Sequence, residues 1–126
     1  MKRLIIDLDG TLTKADNDDY QNVSPRCDVI AKLKEYKNQG YEIVVSTARN
    51  MRTYNGNVGK INIHTLPTIT QWLDKYEVPY DEIIVGKPWC GTEGFYLDDR
   101  AVRPSEFSNI SMEEIAILLE KEKKCF

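Results

Sequence analysis

Residues 4–13 read LIIDLDGTLT, and this stretch guides the interpretation of the whole chain. Three apolar residues followed by an acidic residue and Gly10 are typical of a short buried strand that ends in a turn. Asp7 would end this strand, and Asp9, two residues later, would point to the same side. Two neighbouring carboxylates repel each other, and a hard divalent cation such as Mg²⁺ would remove that conflict.

The rest of the sequence alternates between strand-like and helix-like segments. We predict further strands at 42–47, 82–86 and 95–97, and helices from Ser24-Pro25 to Gly40, around 69–76 and from Ser111 to about 119. Apolar strands separated by helices imply a parallel sheet covered on both faces. The predicted fold is a doubly wound α/β domain, a three-layer α/β/α sandwich that spans residues 1–126. Two polar loops, 14–23 and 50–63, follow the first two strands.

Composition narrows the possible partners. The chain has 126 residues with 17 Lys and Arg against 20 Asp and Glu, a net charge of −3, which disfavours general nucleic-acid binding. The apolar run 4–6 is much shorter than the 7–15 or so residues of a secretory signal, and no stretch is long enough to span a membrane. We therefore expect a cytoplasmic protein with no membrane partner.

Polar residues at the end of the second predicted strand could bind a phosphate group. Ser46 and Thr47 each offer a hydroxyl group, and the guanidinium of Arg49 could add a fork of donors. We prefer Thr47 to Ser46 as the catalytic hydroxyl, although the sequence leaves both open. Gly10 permits a sharp turn after the first strand, and the backbone amides of Gly10 and Thr11 could hold an anion.

Two further candidates follow the third and fourth predicted strands. Lys87 comes after Gly86 and could neutralise a phosphate and a carboxylate nucleophile. Asp98 and Asp99 follow residues 95–97 and could complete a metal site. In an open parallel sheet, the site lies at the carboxyl ends of the strands, so we expect all four groups of residues to meet there.

In this order, the four elements resemble the motifs of the haloacid dehalogenase-like phosphohydrolase superfamily. Residues 7–13 match its first motif, Thr47 its Ser/Thr motif, Lys87 its Lys motif, and Asp98-Asp99 its terminal acidic motif. The short chain and residues 72–88 also resemble small bacterial phosphatases of capsular polysaccharide biosynthesis. The final motif, Asp-Asp-Arg, departs from the commoner Gly-Asp followed by a later Asp.

The resemblance implies a role for each matching residue. Asp7 would be the nucleophile that forms an aspartyl-phosphate, and Asp9 would be the general acid and base. Thr47 and Lys87 would position the phosphate. Mg²⁺ would be held by the Asp7 side chain, the Asp9 backbone carbonyl and an acid of the final motif. We favour Asp98 as this ligand, with Asp99 beside it or as a co-ligand. The substrate would be a small phosphorylated molecule, such as a phosphosugar or another capsular polysaccharide precursor.

The two positions at which this superfamily inserts cap domains are short in this chain. Only ten residues separate Thr13 from Ser24, and only seven separate Lys87 from Phe95. The resemblance therefore implies a core without a cap and an open site, which a neighbouring subunit of a homo-oligomer could close.

Three other functions remain open. A signalling receiver domain uses similar residues, but its acidic pair comes first in the chain and its phosphoacceptor later. A phosphate-binding module without catalysis is the second alternative. A nucleic-acid end phosphatase is the third, because Asp-Asp-Arg also occurs in such members of the superfamily, although the acidic net charge disfavours it.

Overall fold

The structure is a computed structural model that describes residues 1–125. Its elements, in chain order, are β1 (Arg3–Ile6), α1 (Cys27–Asn38), β2 (Glu42–Thr47), α2 (Val58–His64), α3 (Leu66–Lys75), β3 (Glu82–Val85), α4 (Pro104–Asn109) and α5 (Met112–Lys123). The chain divides into two compact units, Met1–Trp89 and Cys90–Phe126. The proposal of one domain over residues 1–126 stays a prediction. No helix of the described residues is long and apolar enough to cross a bilayer.

The three strands form a parallel sheet in the order β1-β2-β3. Ile6 is level with Val45, and Thr47 is level with Val85, so the carboxyl ends of the strands lie along one edge. The predicted α/β class with a parallel sheet is confirmed. This register brings the residues that follow each strand to the same edge of the sheet.

The core of the first unit comes from the central strand and from one face of each long helix. Ile43, Val44 and Val45 of β2 are fully buried, as expected for the middle strand of a covered sheet. The residues buried along the two long helices are Val29, Ile30, Leu33 and Tyr36 of α1 and Ile69, Trp72 and Leu73 of α3. They recur every three or four residues, which places them on one face of each helix.

Helix α1 begins later than the sequence predicts. The expected start at Ser24-Pro25 is wrong, because residues 24–26 run alongside residues 12–14 instead. The Lys14 amide donates to the Ser24 carbonyl at 2.8 Å, and the Arg26 amide donates to the Leu12 carbonyl at 2.8 Å. These bonds keep the segment out of the helix until Cys27. The predicted stop at Gly40 agrees with the structure, where Gly40 has a φ of +90° just beyond the helix.

The predicted loop 50–63 contains a helix at its end. Helix α2 starts at Val58, and the Asn57 side chain caps it by accepting a hydrogen bond from the Lys60 amide at 3.1 Å. Ile61, on this helix, is fully buried. Gly86 lies close to Val58, and a Cβ atom at Gly86 would come within 3.0 Å of it. The helix was missed because it has only seven residues and too few apolar positions to show a period.

The predicted fourth strand at 95–97 is not formed. These residues belong to no strand or helix, and the side chains of Phe95 and Leu97 are 78% and 92% exposed. A strand requires a hydrogen-bonding neighbour, and three apolar residues alone do not supply one. The predicted final helix is confirmed, with Ser111 and Glu114 forming the expected reciprocal cap at its start.

Candidate functional site

Residues from the ends of all three strands meet at the carboxyl edge of the sheet. The Lys87 amide donates to the Thr47 carbonyl at 3.2 Å, which joins the segment after β3 to the end of β2. The Lys87 ammonium lies 3.5 Å from Asp7 Oδ1, although the two residues are 80 positions apart. Gly86, with a φ of +87°, makes the turn that carries Lys87 to this position. The structure thus brings Asp7, Thr47 and Lys87 together.

The turn after β1 is built around the carbonyl of the fully buried Leu8. This oxygen accepts hydrogen bonds from the amides of Thr11, Leu12 and Thr13 at 2.9–3.2 Å. The Gly10 amide donates to Thr13 Oγ1 at 3.3 Å, and Gly10 itself has a φ of +83°. The amides that the sequence suggested for anion binding are therefore used within the turn. Binding of substrate by Gly10 and Thr11 stays a prediction.

Asp7 is held from both sides but remains accessible. The Thr11 hydroxyl donates to Asp7 Oδ2 at 3.1 Å, and the Lys87 ammonium faces Oδ1. The Asp7 side chain is 36% exposed. A carboxylate that is oriented by a hydroxyl group, neighboured by a cation and open to solvent has the surroundings of a nucleophile.

Asp9 is bound by Arg49 through both carboxylate oxygens. Arg49 Nε donates to Oδ2 at 3.0 Å, and Nη2 donates to Oδ1 at 2.7 Å. The Arg49 side chain is fully buried, and its guanidinium lies 4.0 Å from the ring of Tyr20, in loop 14–23. In this conformation the cation that we predicted to bind substrate is paired with Asp9 instead.

Ser46 and Thr47 lie on opposite faces of β2, because neighbouring residues of a strand alternate. Thr47 is buried, and its Oγ1 accepts a hydrogen bond from the Arg49 amide at 3.0 Å. Ser46 is half-buried. The Thr47 side chain is thus part of the turn that positions Arg49.

The terminal acidic pair lies in the second unit, Cys90–Phe126, and both carboxylates are exposed. The Arg100 amide donates to Asp98 Oδ1 at 2.9 Å, and this hydrogen bond lowers the pKa of the Asp98 carboxyl below its ordinary value. Which of Asp98 and Asp99 would contact a metal stays open.

The first unit supplies oxygen donors for a metal, but few of them. Within Met1–Trp89 no group of three or more His, Cys, Asp or Glu side chains lies close enough together to hold an ion. The Asp7 carboxylate is accessible, and among the described residues no hydrogen bond ends on the Asp9 carbonyl. Oxygen donors alone, with room for water, fit Mg²⁺, which binds proteins through few ligands and keeps several waters.

Two features of the site escaped sequence reasoning. Tyr20 was not singled out, and its only signal was that it is the one aromatic residue in the polar loop 14–23. The backbone amide of Ala48 was not named, although the N–H group adjoining a strand-end hydroxyl is a phosphate donor that the sequence suggests. Ala48 lies between Thr47 and Arg49, and within residues 1–125 its N–H group donates no hydrogen bond. An amide free at a strand end is a potential anion donor.

Comparison with known proteins identifies the family. Residues 4–71, which include the carboxyl ends of β1 and β2, match the family model of haloacid dehalogenase-like hydrolases. The chain belongs to this family. Its members are hydrolases, and the parallel α/β fold described above is their Rossmann-like core without a cap domain. The predicted resemblance is confirmed, whereas the narrower likeness to capsule phosphatases stays a prediction.

Four chains of solved structures are similar to this chain, and two of them follow. The crystal structure of a target protein from Vibrio cholerae is 72% identical, with a TM-score of 0.96 over 97% of this chain and 99% of that one. A protein of the Pnkp1/Rnl/Hen1 complex is 25% identical, with a TM-score of 0.50 over 78% of this chain and 30% of that one. No curated protein matches the chain.

Proposed function

We propose that this protein is a Mg²⁺-dependent phosphomonoester hydrolase that uses Asp7 as its nucleophile. The observation that carries this proposal is the placement of the Lys87 ammonium 3.5 Å from Asp7 Oδ1 in an accessible site. A cation beside the carboxylate lowers the repulsion between an anionic nucleophile and an anionic phosphate. Membership of a hydrolase family supports the same chemistry.

The chain's own residues suggest the order of events. One Asp7 oxygen attacks phosphorus, and the bond from phosphorus to the leaving oxygen breaks as Asp9 donates a proton to that oxygen. Water then attacks the aspartyl-phosphate, gives its proton to Asp9 and releases inorganic phosphate. Mg²⁺, held by the Asp7 carboxylate and the Asp9 carbonyl, would neutralise phosphate charge. The Thr47 hydroxyl, the Ala48 amide and Lys87 would hold the phosphate oxygens.

This mechanism requires the Asp9 carboxylate to separate from the Arg49 guanidinium. Both oxygens of the Asp9 carboxylate are bound by Arg49 at 2.7 and 3.0 Å, so neither can exchange a proton with substrate while the pair is closed. We propose that substrate opens the pair, because a phosphate offers Arg49 the same bidentate geometry as a carboxylate. Arg49 would then become the substrate-binding residue that the sequence suggested.

The substrate we favour is a phosphosugar or a related small phosphate, such as a precursor of capsular polysaccharide. The core has no cap, and the ring of Tyr20 lies 4.0 Å from the Arg49 guanidinium. Trp89, two residues after Lys87, is exposed and lies 5.6 Å from the Arg52 guanidinium. Aromatic rings beside cations suit a sugar that carries phosphate. A nucleic-acid end is the second candidate. The Asp-Asp-Arg sequence at residues 98–100 favours it, and the net charge of −3 disfavours it.

Hydrolysis of 4-nitrophenyl phosphate tests the proposal directly. We expect turnover with Mg²⁺, none with EDTA, and a loss of at least about 1,000-fold in Asp7→Asn. Asp74→Asn, an exposed aspartate of α3, is the matched control and should retain wild-type activity. Full activity in Asp7→Asn would refute the covalent mechanism. A panel of sugar phosphates and 3′-phosphorylated oligonucleotides then separates the two substrate classes.

A further inference from the structure

We propose that Tyr20 is a positioning residue that holds Arg49 on Asp9 until a phosphate group binds. The ring of Tyr20 thereby determines how readily Asp9 becomes available as the general acid. This inference rests on the proposed function, because it names the residue that regulates the Arg49–Asp9 pair of that site.

The first observation is the contact of three side chains from three segments of the chain. Arg49 Cζ lies over the Tyr20 ring, 4.0 Å from its centroid, while Nε and Nη2 of the same guanidinium donate to Asp9 at 3.0 and 2.7 Å. The attraction between a cation and an aromatic face is larger where water is excluded, and the Arg49 side chain is fully buried. Tyr20 and Asp9 therefore hold the guanidinium together.

The second observation is that the backbone on both sides of the pair is fixed. The Arg49 amide donates to Thr47 Oγ1 at 3.0 Å, at the end of β2. The turn that carries Asp9 is held by three amides that donate to the Leu8 carbonyl. Separation of the pair therefore takes place in the side chains. A guanidinium that moves away from Asp9 also loses its place over the Tyr20 ring.

The third observation is a donor of Arg49 that the closed pair leaves unused. Nη1 is buried and, among residues 1–125, has no hydrogen-bond partner. Burying an N–H group without an acceptor is unfavourable. A phosphate monoester has three accepting oxygens, so it can bind Nη1 as well as replace Asp9 on the guanidinium. Phosphate can therefore compete for Arg49, and the ring contact favours the closed pair against it.

The Tyr20 ring can be removed without breaking the hydrogen bonds around it. In the part of the chain that the structure describes, the hydrogen bonds of residues 17–22 all end within that segment: the Asp19 amide donates to Asn17, and the amides of Gln21 and Asn22 donate to Asp19, at 2.8–3.1 Å. None of these bonds involves the Tyr20 side chain. Substitution of Tyr20 is therefore a specific test of the ring contact.

The first test compares phosphate binding with turnover. A cation–π contact changes an equilibrium by a factor of about 2 to 30, and a ligand that binds only the open pair binds more weakly by the fraction that is closed. In Tyr20→Ala, the Kd of inorganic phosphate and the KM for 4-nitrophenyl phosphate should fall by roughly this factor, and kcat should not fall with them. A ring with a merely structural role would instead raise KM or lower kcat when it is removed.

The second test reads the pair by NMR, without catalysis. The Arg49 Nε–H proton, which is bonded to Asp9, should exchange slowly with water in the wild type, and Arg49→Lys identifies its signal. It should exchange about 2- to 30-fold faster in Tyr20→Ala, and Tyr20→Phe, which keeps the ring, should restore the wild-type rate. Tyr41→Ala is the control, because its ring lies 5.8 Å from the Lys2 ammonium, just before β2, and its loss should leave the Arg49 rate unchanged.

Equal Nε–H exchange rates in the wild type and Tyr20→Ala would overturn the inference, and so would a KM that rises in Tyr20→Ala. If the protein hydrolyses 4-nitrophenyl phosphate but the rates are equal, the inference fails and the proposed function stands. If exchange depends on the ring as expected but no phosphate ester is hydrolysed, the proposed function fails and the hold of Tyr20 on Arg49 stands.

Discussion

Thr47 shows how a single buried residue supports the site. Its hydroxyl oxygen accepts the Arg49 amide at 3.0 Å, and its carbonyl accepts the Lys87 amide at 3.2 Å. Arg49 in turn holds Asp9, and Lys87 faces Asp7. At the residue scale, Thr47 therefore connects Arg49, which binds the Asp9 carboxylate, with Lys87, which faces the Asp7 carboxylate.

Replacing Thr47 with valine should destabilise the protein by about 1–3 kcal/mol, because the buried Arg49 amide would lose its acceptor. Thr47→Ser is the matched control, since it keeps the oxygen and removes one methyl group, a change worth roughly 0.8 kcal/mol. Urea unfolding measures both values. A serine variant that is as unstable as the valine variant would contradict the role assigned to this hydroxyl.

At the element scale, loop 14–23 is an organised segment. The Lys14 amide bonds to the Ser24 carbonyl at 2.8 Å, and the Val23 carbonyl accepts a hydrogen bond from Trp72 of α3 at 2.9 Å. With both ends fastened, the loop presents the ring of Tyr20 to the Arg49 guanidinium at 4.0 Å. The ring of Tyr20 thereby packs against the guanidinium of Arg49, whose side chain is fully buried.

Tyr20→Ala should loosen this loop. A cation–π contact contributes about 0.5–2 kcal/mol, so the exchange rates of amide hydrogens in residues 14–23 should rise by roughly 2- to 30-fold. Tyr20→Phe keeps the ring and should exchange like the wild type. Hydrogen-exchange mass spectrometry measures the difference, and equal rates in Tyr20→Ala and Tyr20→Phe would show that the ring does not hold the loop.

At the scale of the whole first unit, Asp81 connects three elements. Its carboxylate accepts hydrogen bonds from the Ile43 amide of β2 at 2.8 Å and from Lys37 of α1 at 2.7–2.8 Å, and it precedes β3. The Ile43 bond first, and Lys37 second, hold the pKa of the Asp81 carboxyl below its ordinary value. The carboxylate therefore favours the folded state.

This lowered pKa predicts how stability depends on pH. The contribution of Asp81 is complete above its unfolded-state pKa, roughly 4, and is lost as the pH falls through the lower folded-state pKa. Asp81→Asn should therefore be less stable than the wild type at pH 7, and the difference should shrink towards pH 3. Urea unfolding at a series of pH values measures it. Asp18→Asn, at an exposed loop position, is the control and should have the same stability as the wild type at each pH. If Asp81→Asn is less stable than the wild type by the same amount at every pH, the prediction is contradicted.

Local sequence patterns were sufficient to predict most of the strands and helices of this protein. Apolar runs and helical periods predicted three of the four strands and the main helices, because burial imposes those periods directly on the sequence. The family motifs then identified Asp7, Thr47 and Lys87 as candidates at strand ends. Helix α2 and the true start of α1 were missed, since capping and competing backbone hydrogen bonds decide such boundaries.

The amino-acid sequence by itself determined the parallel α/β framework and the family, since both depend on short-range patterns. Only the tertiary structure decided which side chains meet. Arg49 binds Asp9 from 40 positions away, and Lys87 reaches Asp7 from 80 positions away. Such pairings depend on strand register and on where each turn directs its side chains, and neither leaves a periodic signal in the sequence. The same holds for segment 95–97, because a strand exists only when a neighbouring strand pairs with it.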